Sequence, residues 1–213
     1  MIFIIAPKKI VLASKSAARK SILENLGIEA EIYITDADET LSGDVPPEKI
    51  VTELSRRKAR AAAGVMGDPS TLIIAADTIV ECGGRIIGKP SSEADAAETL
   101  SLLSGNLHRV YSGITVVFGG VAESDYDVTE VKFRDLGERE IAQYVKTGDP
   151  LTKAGSYGAE GPGSAFVERI EGDFFNVAGL PVPKFADILK NRFGLTVFDL
   201  SGRDMPDIPE RMG

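Results

Sequence analysis

Residues 14–20, Ser-Lys-Ser-Ala-Ala-Arg-Lys, place two hydroxyls ahead of two adjacent cations. The aliphatic run Ile10–Ala13 before them reads as a buried strand. From Ala17 onward Ile22, Leu23 and Leu26 recur at helical spacing, and Gly27 is a natural stop. Ser14 and Ser16 therefore fall in a strand-to-helix turn, where free backbone N–H groups and hydroxyls converge. Cations in a helix's first turn oppose its macrodipole, so Arg19 and Lys20 make sense beside a bound anion, and a phosphate chain fits that place. Serines before a helix also act as plain caps, and the two cations as solvated charges. The turn alone does not separate these readings.

Asp77 is the acid best placed for chemistry. It follows the apolar run Thr71–Ala76, and we expect it at the strand's C-terminal end, where open α/β sheets form ligand crevices. A carboxylate there needs a partner, a metal or a role, although an ordinary turn aspartate fits the same spacing. Asp38 and Glu39 lie at another strand end; with Asp77 they make an oxygen set suited to a hard divalent cation. Lys89 sits in a tight Gly-Lys-Pro turn that suits a phosphate contact or plain solvation. His108, the only histidine, has no G-x-S-x-G serine to serve and defaults to a core role. P-loop and G-x-G-x-x-G signatures are lacking, which removes the usual NTPase and dinucleotide readings.

The elements that would carry these residues alternate. A strand is predicted over 29–35 and a helix over 48–65, with Arg56, Arg57, Lys58 and Arg60 in its favourable C-terminal half. Strand 79–82 and return strand 85–87 flank a Gly83-Gly84 hairpin, and Ser92 with Asp95 caps a helix over 93–103. Strands 110–118 and 126–133 flank Gly119-Gly120, and a helix follows over 137–146. Glycines 155, 158, 161 and 163 with Pro162 make a shaped loop that includes Glu160. Strand 165–170, helix 183–192 and a last strand over 195–200 complete the pattern, with 201–213 a mobile tail. Alternating elements with inserted hairpins specify an α/β fold with a mixed sheet in a single domain over 1–200.

Net charge of −8 argues against nucleic acid or anionic membrane as the main partner. The lone Cys82 excludes an intrachain disulfide and a cysteine-based zinc site, and suits a reducing cytoplasm. Residues 1–6 are apolar but too few to span a bilayer, and Lys8 and Lys9 follow them rather than precede them.

Taken together, the chain resembles the Maf family of septum-formation-associated nucleoside triphosphate pyrophosphatases. The resemblance rests on Ser14-x-Ser16-x-x-Arg19, Lys58-Ala59, Ala76-Asp77-Thr78, Gly88-Lys89-Pro90, Leu103-Ser104-Gly105 with His108, Lys153 to Tyr157, Glu160-Gly161 and Gly179-Leu180-Pro181. It implies a two-lobed α/β unit of Maf/ITPase-like kind, with a curved mixed sheet flanked by helices, a central cleft and a homodimer. It implies hydrolysis of a nucleoside triphosphate to monophosphate and pyrophosphate with Mg2+ or Mn2+, serving nucleotide-pool sanitation and cell-division arrest. On that resemblance Asp77 is the catalytic acid, acting as base and near the metal. Ser14, Ser16, Arg19, Lys58 and Lys89 are phosphate contacts, and Asp38-Glu39 assists metal or water.

Two departures bear on the base. Ala18 stands where many members have a second arginine, and the 7-methyl-GTP branch tends to carry a tryptophan there, which this chain lacks. Glu160-Gly161 resembles that branch, whereas the pyrimidine branch usually has Gln-Gly; Asp77-Thr78 resembles the pyrimidine branch. Preference for dTTP, UTP or CTP and preference for 7-methyl-GTP both stay open. The rival from another class is a non-catalytic nucleotide-binding regulator of septum formation.

Overall fold

The computed structural model describes residues 6–38, 40 and 45–202. One seven-stranded mixed sheet organises them, in the order β2-β1-β3-β5-β6-β7 with β4 added to β3. The strands are β1 (Lys9–Leu12), β2 (Glu31–Ile32), β3 (Thr71–Cys82), β4 (Arg85–Ile87), β5 (Leu107–Phe118), β6 (Val121–Phe133) and β7 (Val167–Glu171). The helices are α1 (Ala17–Asn25), α2 (Pro47–Met66), α3 (Glu93–Leu103), α4 (Glu138–Val145), α5 (Phe174–Val177), α6 (Val182–Ile188) and α7 (Val197–Leu200). The mixed α/β class expected from the element pattern is the class observed. Among the described residues no helix is long and apolar enough to cross a membrane.

β1 runs parallel to both β2 and β3, whereas β3, β5, β6 and β7 form antiparallel neighbours. The chain thus leaves β1 toward one side for β2 and crosses back to the other for β3. This is a topological switch point, and its crevice opens past the carboxyl end of β1. α1 and α2 cover opposite faces of the sheet. Ile22 and Leu23 of α1 pack with Leu72, Ile74 and Ala76, while Ala59 and Ala62 of α2 pack with Ile73 and Ala75. That split follows from strand alternation, even positions of β3 facing one layer and odd positions the other.

The even face carries two apolar clusters. One gathers around Leu12, Ile74, Ile114 and Phe185, the other around Val80, Leu100, Phe133 and Tyr157. Buried polar residues Thr129, Ser112 and Asn176 lie where the clusters part. A single sheet runs through both clusters.

Four local expectations are corrected. The strand expected over 29–35 shrinks to Glu31–Ile32, because β1 stops at Leu12 and leaves nothing further to pair with. The apolar runs 71–76 and 79–82 are one strand, so Asp77 lies inside β3 and not at its end. The expected last strand is helix α7, whose Thr196 and Asp199 form a reciprocal capping box. Helix 183–192 is divided into α6 and a π turn over Leu189–Phe193. Residues 203–213 of the tail, and residues 1–5, lie outside the described residues.

Candidate active site

Asp77 owes its position to a neighbour that ends early. β1 pairs with β3 only from Lys9↔Thr71 to Leu12↔Ile74, and β4 joins the same edge from Val80↔Ile87 onward. β5 covers the opposite edge continuously from Ile73 to Glu81. Between β1 and β4 the edge of β3 is therefore unpaired in the sheet around residues 76–79, and Asp77 sits in that gap. The gap lies inside β3, made by β1 stopping early, and not at the end of β3 where the crevice is expected from the sequence.

On the odd face, Asp77 Oδ1 accepts a 2.6 Å hydrogen bond from Lys58 Nζ, and both side chains are about one-eighth exposed (13% and 12%). Gly113, opposite Asp77 on β5, permits this contact. A Cβ there would lie 2.3 Å from the carbonyl oxygen of Val51, so only glycine lets the α2 backbone rest on the sheet. Lys58, about two helical turns beyond Val51, then reaches Asp77. Breaking such a buried pair by removing one partner costs about 3–5 kcal/mol.

On the even face, Arg19 curls back over the start of α1. Its Nε donates to Gly179 O (2.7 Å), Nη1 to Ser14 Oγ (3.1 Å) and Nη2 to Thr78 Oγ1 (2.9 Å). Ser14 Oγ also accepts from Ser16 N (3.1 Å), and Ser16 caps the helix by accepting from Arg19 N (3.4 Å). Ser16 thus serves as the plain cap, while Ser14 and Arg19 gather at the anion-favouring helix end. Lys20 does not join them; it pairs with Glu24 at 3.1 Å on the exposed side.

Lys89 follows β4 at the other margin of the gap. It is exposed and lines a polar cavity of about 220 Å³ with Arg85, Asp95, Glu98 and Thr99. Gly88 O, just before it, accepts from Gly155 N at 3.0 Å, which docks the glycine-rich loop on this turn. In that loop Lys153 Nζ bonds Glu160 Oε1 at 2.5 Å, and Tyr157 OH meets the buried His108 Nε2 at 2.9 Å. Burial pushes the His108 imidazole down to about 4, confirming it as a neutral core residue.

Asp38 lies on the surface. Its Oδ1 accepts from Thr40 N at 2.8 Å, and Arg57, the neighbour of Lys58 on α2, donates to the carbonyls of Asp38 and Thr40. The Thr40 hydrogen bonds, helped by Arg57, hold the Asp38 carboxyl below the usual range. Glu39 lies outside the described residues, and among those described no three His, Cys, Asp or Glu side chains converge on a metal position. Among the described residues the gap offers one carboxylate, Asp77, a donor set that suits a magnesium-like cation taking most of its oxygens from substrate phosphates and water.

Lys58 and Asp77 thus meet at the gap on one face, and Arg19 joins Ser14 to Thr78 on the other. Lys89 follows the strand that closes the gap and lines the neighbouring cavity, with Glu160 on the loop docked beside it. Sequence reasoning missed Ser112 and Asn176 and left Thr78 without a role. A polar residue inside the apolar runs around 112 and 176 was the available signal.

A family model described as Maf-like protein matches residues 9–192. The dTTP/UTP pyrophosphatase of Clostridium perfringens (strain SM101 / Type A) is 47% identical over 188 residues, covering 86% of this chain and 96% of that one. The dTTP/UTP pyrophosphatase of Bacillus cereus (strain ATCC 10987 / NRS 248) is 44% identical over 183 residues, covering 86% and 89%. Among solved structures, the Ham1 protein of Staphylococcus aureus overlaps 60% of this chain and 73% of its own, at 18% identity and a TM-score of 0.43. With the match running from β1 into the turn after α6, the chain belongs to the family of Maf-like proteins.

Proposed function

We propose that this protein is a nucleoside triphosphate pyrophosphatase that converts dTTP and UTP to the monophosphate and pyrophosphate with a divalent cation, Mg2+ or Mn2+. The observation that carries the reading is the Lys58–Asp77 pair in the gap of the sheet, with Arg19 at the facing helix start. The similarity to two dTTP/UTP pyrophosphatases supports the pyrimidine preference over 7-methyl-GTP.

In this reading the triphosphate enters the gap with its phosphates toward Ser14, Arg19, Lys58 and Lys89, which offset its charge. Asp77 takes the proton of a water as the water oxygen bonds to the α-phosphorus. The bond from that phosphorus to the bridging oxygen breaks, and pyrophosphate leaves with the electron pair. A divalent cation, when bound, would be held by Asp77 together with substrate phosphates and water, and would supply charge stabilisation at the phosphate oxygens. Lys58 keeps the Asp77 carboxylate oriented until the substrate arrives.

Glu160 is the residue we assign to the base. A carboxylate only accepts hydrogen bonds, but the Lys153 ammonium bonded to it supplies donors, so the pair offers what a glutamine amide offers. That removes the objection that Glu160 stands where the pyrimidine branch has glutamine. We further infer a cytoplasmic homodimer, from the family resemblance and the lone buried cysteine. The test is pyrophosphate release from dTTP, UTP, CTP and 7-methyl-GTP with Mg2+ or Mn2+. Faster turnover of dTTP and UTP supports the reading; preference for 7-methyl-GTP, or release of single phosphates, contradicts it.

A further inference from the structure

We propose that Asn176 is a positioning residue for Arg19, a role that rests on the reading above that Arg19 meets the triphosphate. Asn176 is fully buried in α5, in the seam between the two apolar clusters. Its Nδ2 donates to Val110 O (3.0 Å) on β5 and to Thr129 Oγ1 (2.9 Å) on β6. Thr129 in turn donates to Asp173 O (3.0 Å), and the Asp173 carboxylate caps the same short helix. The side chain therefore staples α5 to two strands, and the Asn176 carbonyl has little freedom to move.

Two paths lead from the Arg19 guanidinium to that one carbonyl oxygen. In the first, Arg19 Nε donates to Gly179 O (2.7 Å) and Gly179 N donates to Asn176 O (3.0 Å). Gly179 has φ +104°, a conformation side-chain-bearing residues rarely adopt, so the tight turn between the two bonds depends on glycine. The second path has a fixed direction. Ser112 Oγ has one proton and gives it to Asn176 O (2.8 Å), so it is the acceptor in its 2.8 Å contact with Thr78. Thr78 then spends its proton on Ser112 and accepts from Arg19 Nη2 (2.9 Å). The chain runs Arg19 to Thr78 to Ser112 to Asn176, each bond polarised by the charge at its head. Asn176 sets the orientation of a guanidinium it does not touch.

The test measures binding of a non-hydrolysable analogue, dUTP with an α,β-imido bridge, in the presence of Mg2+, by titration calorimetry. The proteins are wild type, Asn176→Ala, Arg19→Ala and the double variant. Asn176→Ala is expected to weaken binding about tenfold, the scale of a lost charge-assisted hydrogen bond. In the Arg19→Ala background the same substitution is expected to add less than about twofold, because its effect passes through the guanidinium. A full tenfold loss in both backgrounds, or unchanged binding by a folded Asn176→Ala protein, overturns the proposal. Should Asn176→Ala fail to fold, Ser112→Ala keeps the staple and cuts one path only. It is expected to weaken binding about threefold with Arg19 present and not at all without it; equal weakening in both backgrounds again overturns the proposal. Pyrophosphate release from dUTP, measured in parallel, reads the reaction separately. Binding without release contradicts the pyrophosphatase reading and leaves the coupling result standing.

Discussion

Lys58 Nζ and Asp77 Oδ1 stand 2.6 Å apart across the interface of α2 with the sheet, in the stretch of β3 that neither β1 nor β4 covers. The contact makes Lys58 a structural partner of Asp77, apart from the phosphate contact proposed for it. Removing Lys58 should therefore affect stability as well as turnover. Lys58→Met is expected to lower the unfolding free energy by about 3 kcal/mol, because it strands a buried carboxylate. The double variant Lys58→Met/Asp77→Asn should recover part of that loss. Urea denaturation of wild type, Lys58→Met, Asp77→Asn and the double variant checks this, and an additive double variant would contradict it.

Gly113 governs how closely α2 approaches. Gly113→Ala puts a Cβ 2.3 Å from Val51 O, so the helix must shift or the strand must bend. The expected cost is at least about 2 kcal/mol of stability. The displaced Lys58 should also reduce turnover in the protein that remains folded. Unchanged melting temperature and turnover would show that α2 is not seated as described.

The buried His108 gives a pH signature. Its folded-state value of about 4 lies below the ordinary 6.5, so between those values the unfolded chain binds the extra proton. Stability from this group is complete above about pH 6.5 and is lost as pH falls toward 4, by about 3 kcal/mol in all. Comparing wild type with His108→Gln over that window isolates the effect from the carboxylates. Wild type should lose more stability on acidification than the variant; parallel curves would contradict the assignment.

The pair Lys153–Glu160 predicts a separable effect on the base. Glu160→Gln supplies donor and acceptor within one side chain, so turnover of dTTP and UTP should stay within about threefold of wild type. Lys153→Met leaves a carboxylate that only accepts, and the KM for both pyrimidine nucleotides should rise about tenfold. Steady-state kinetics with each nucleotide would show it, and equal KM values in wild type and Lys153→Met would exclude the pair from base reading.

Features set by local rules were legible in the chain. The Gly83-Gly84 hairpin and the capped helix over 93–103 appear where expected, because their turn and cap chemistry lies within a few residues. Asp77 stands out in the chain, but its place in the strand does not. A polar residue ending an apolar run looked like a strand end, whereas alternation only turns it to the face that α2 covers. The gap itself follows from the length of β1, more than sixty residues earlier, which no local pattern near Asp77 reports. The Arg19–Gly179 bond spans 160 residues, so the motif at 14–19 places a cation at a helix start but does not report what holds it. The last strand was misread because apolar content at 195–200 outweighed the Thr196-x-x-Asp199 signature, which was there to be seen.

The most direct measurement of the central claim is pyrophosphate release from dTTP by wild type and Asp77→Asn side by side, with Mg2+ present and both proteins shown to be folded. Loss of a general base predicts a fall in turnover on the order of 10²–10⁴-fold in the variant, with dTTP still bound. Turnover by Asp77→Asn at the wild-type rate would contradict the assignment of Asp77 as the base.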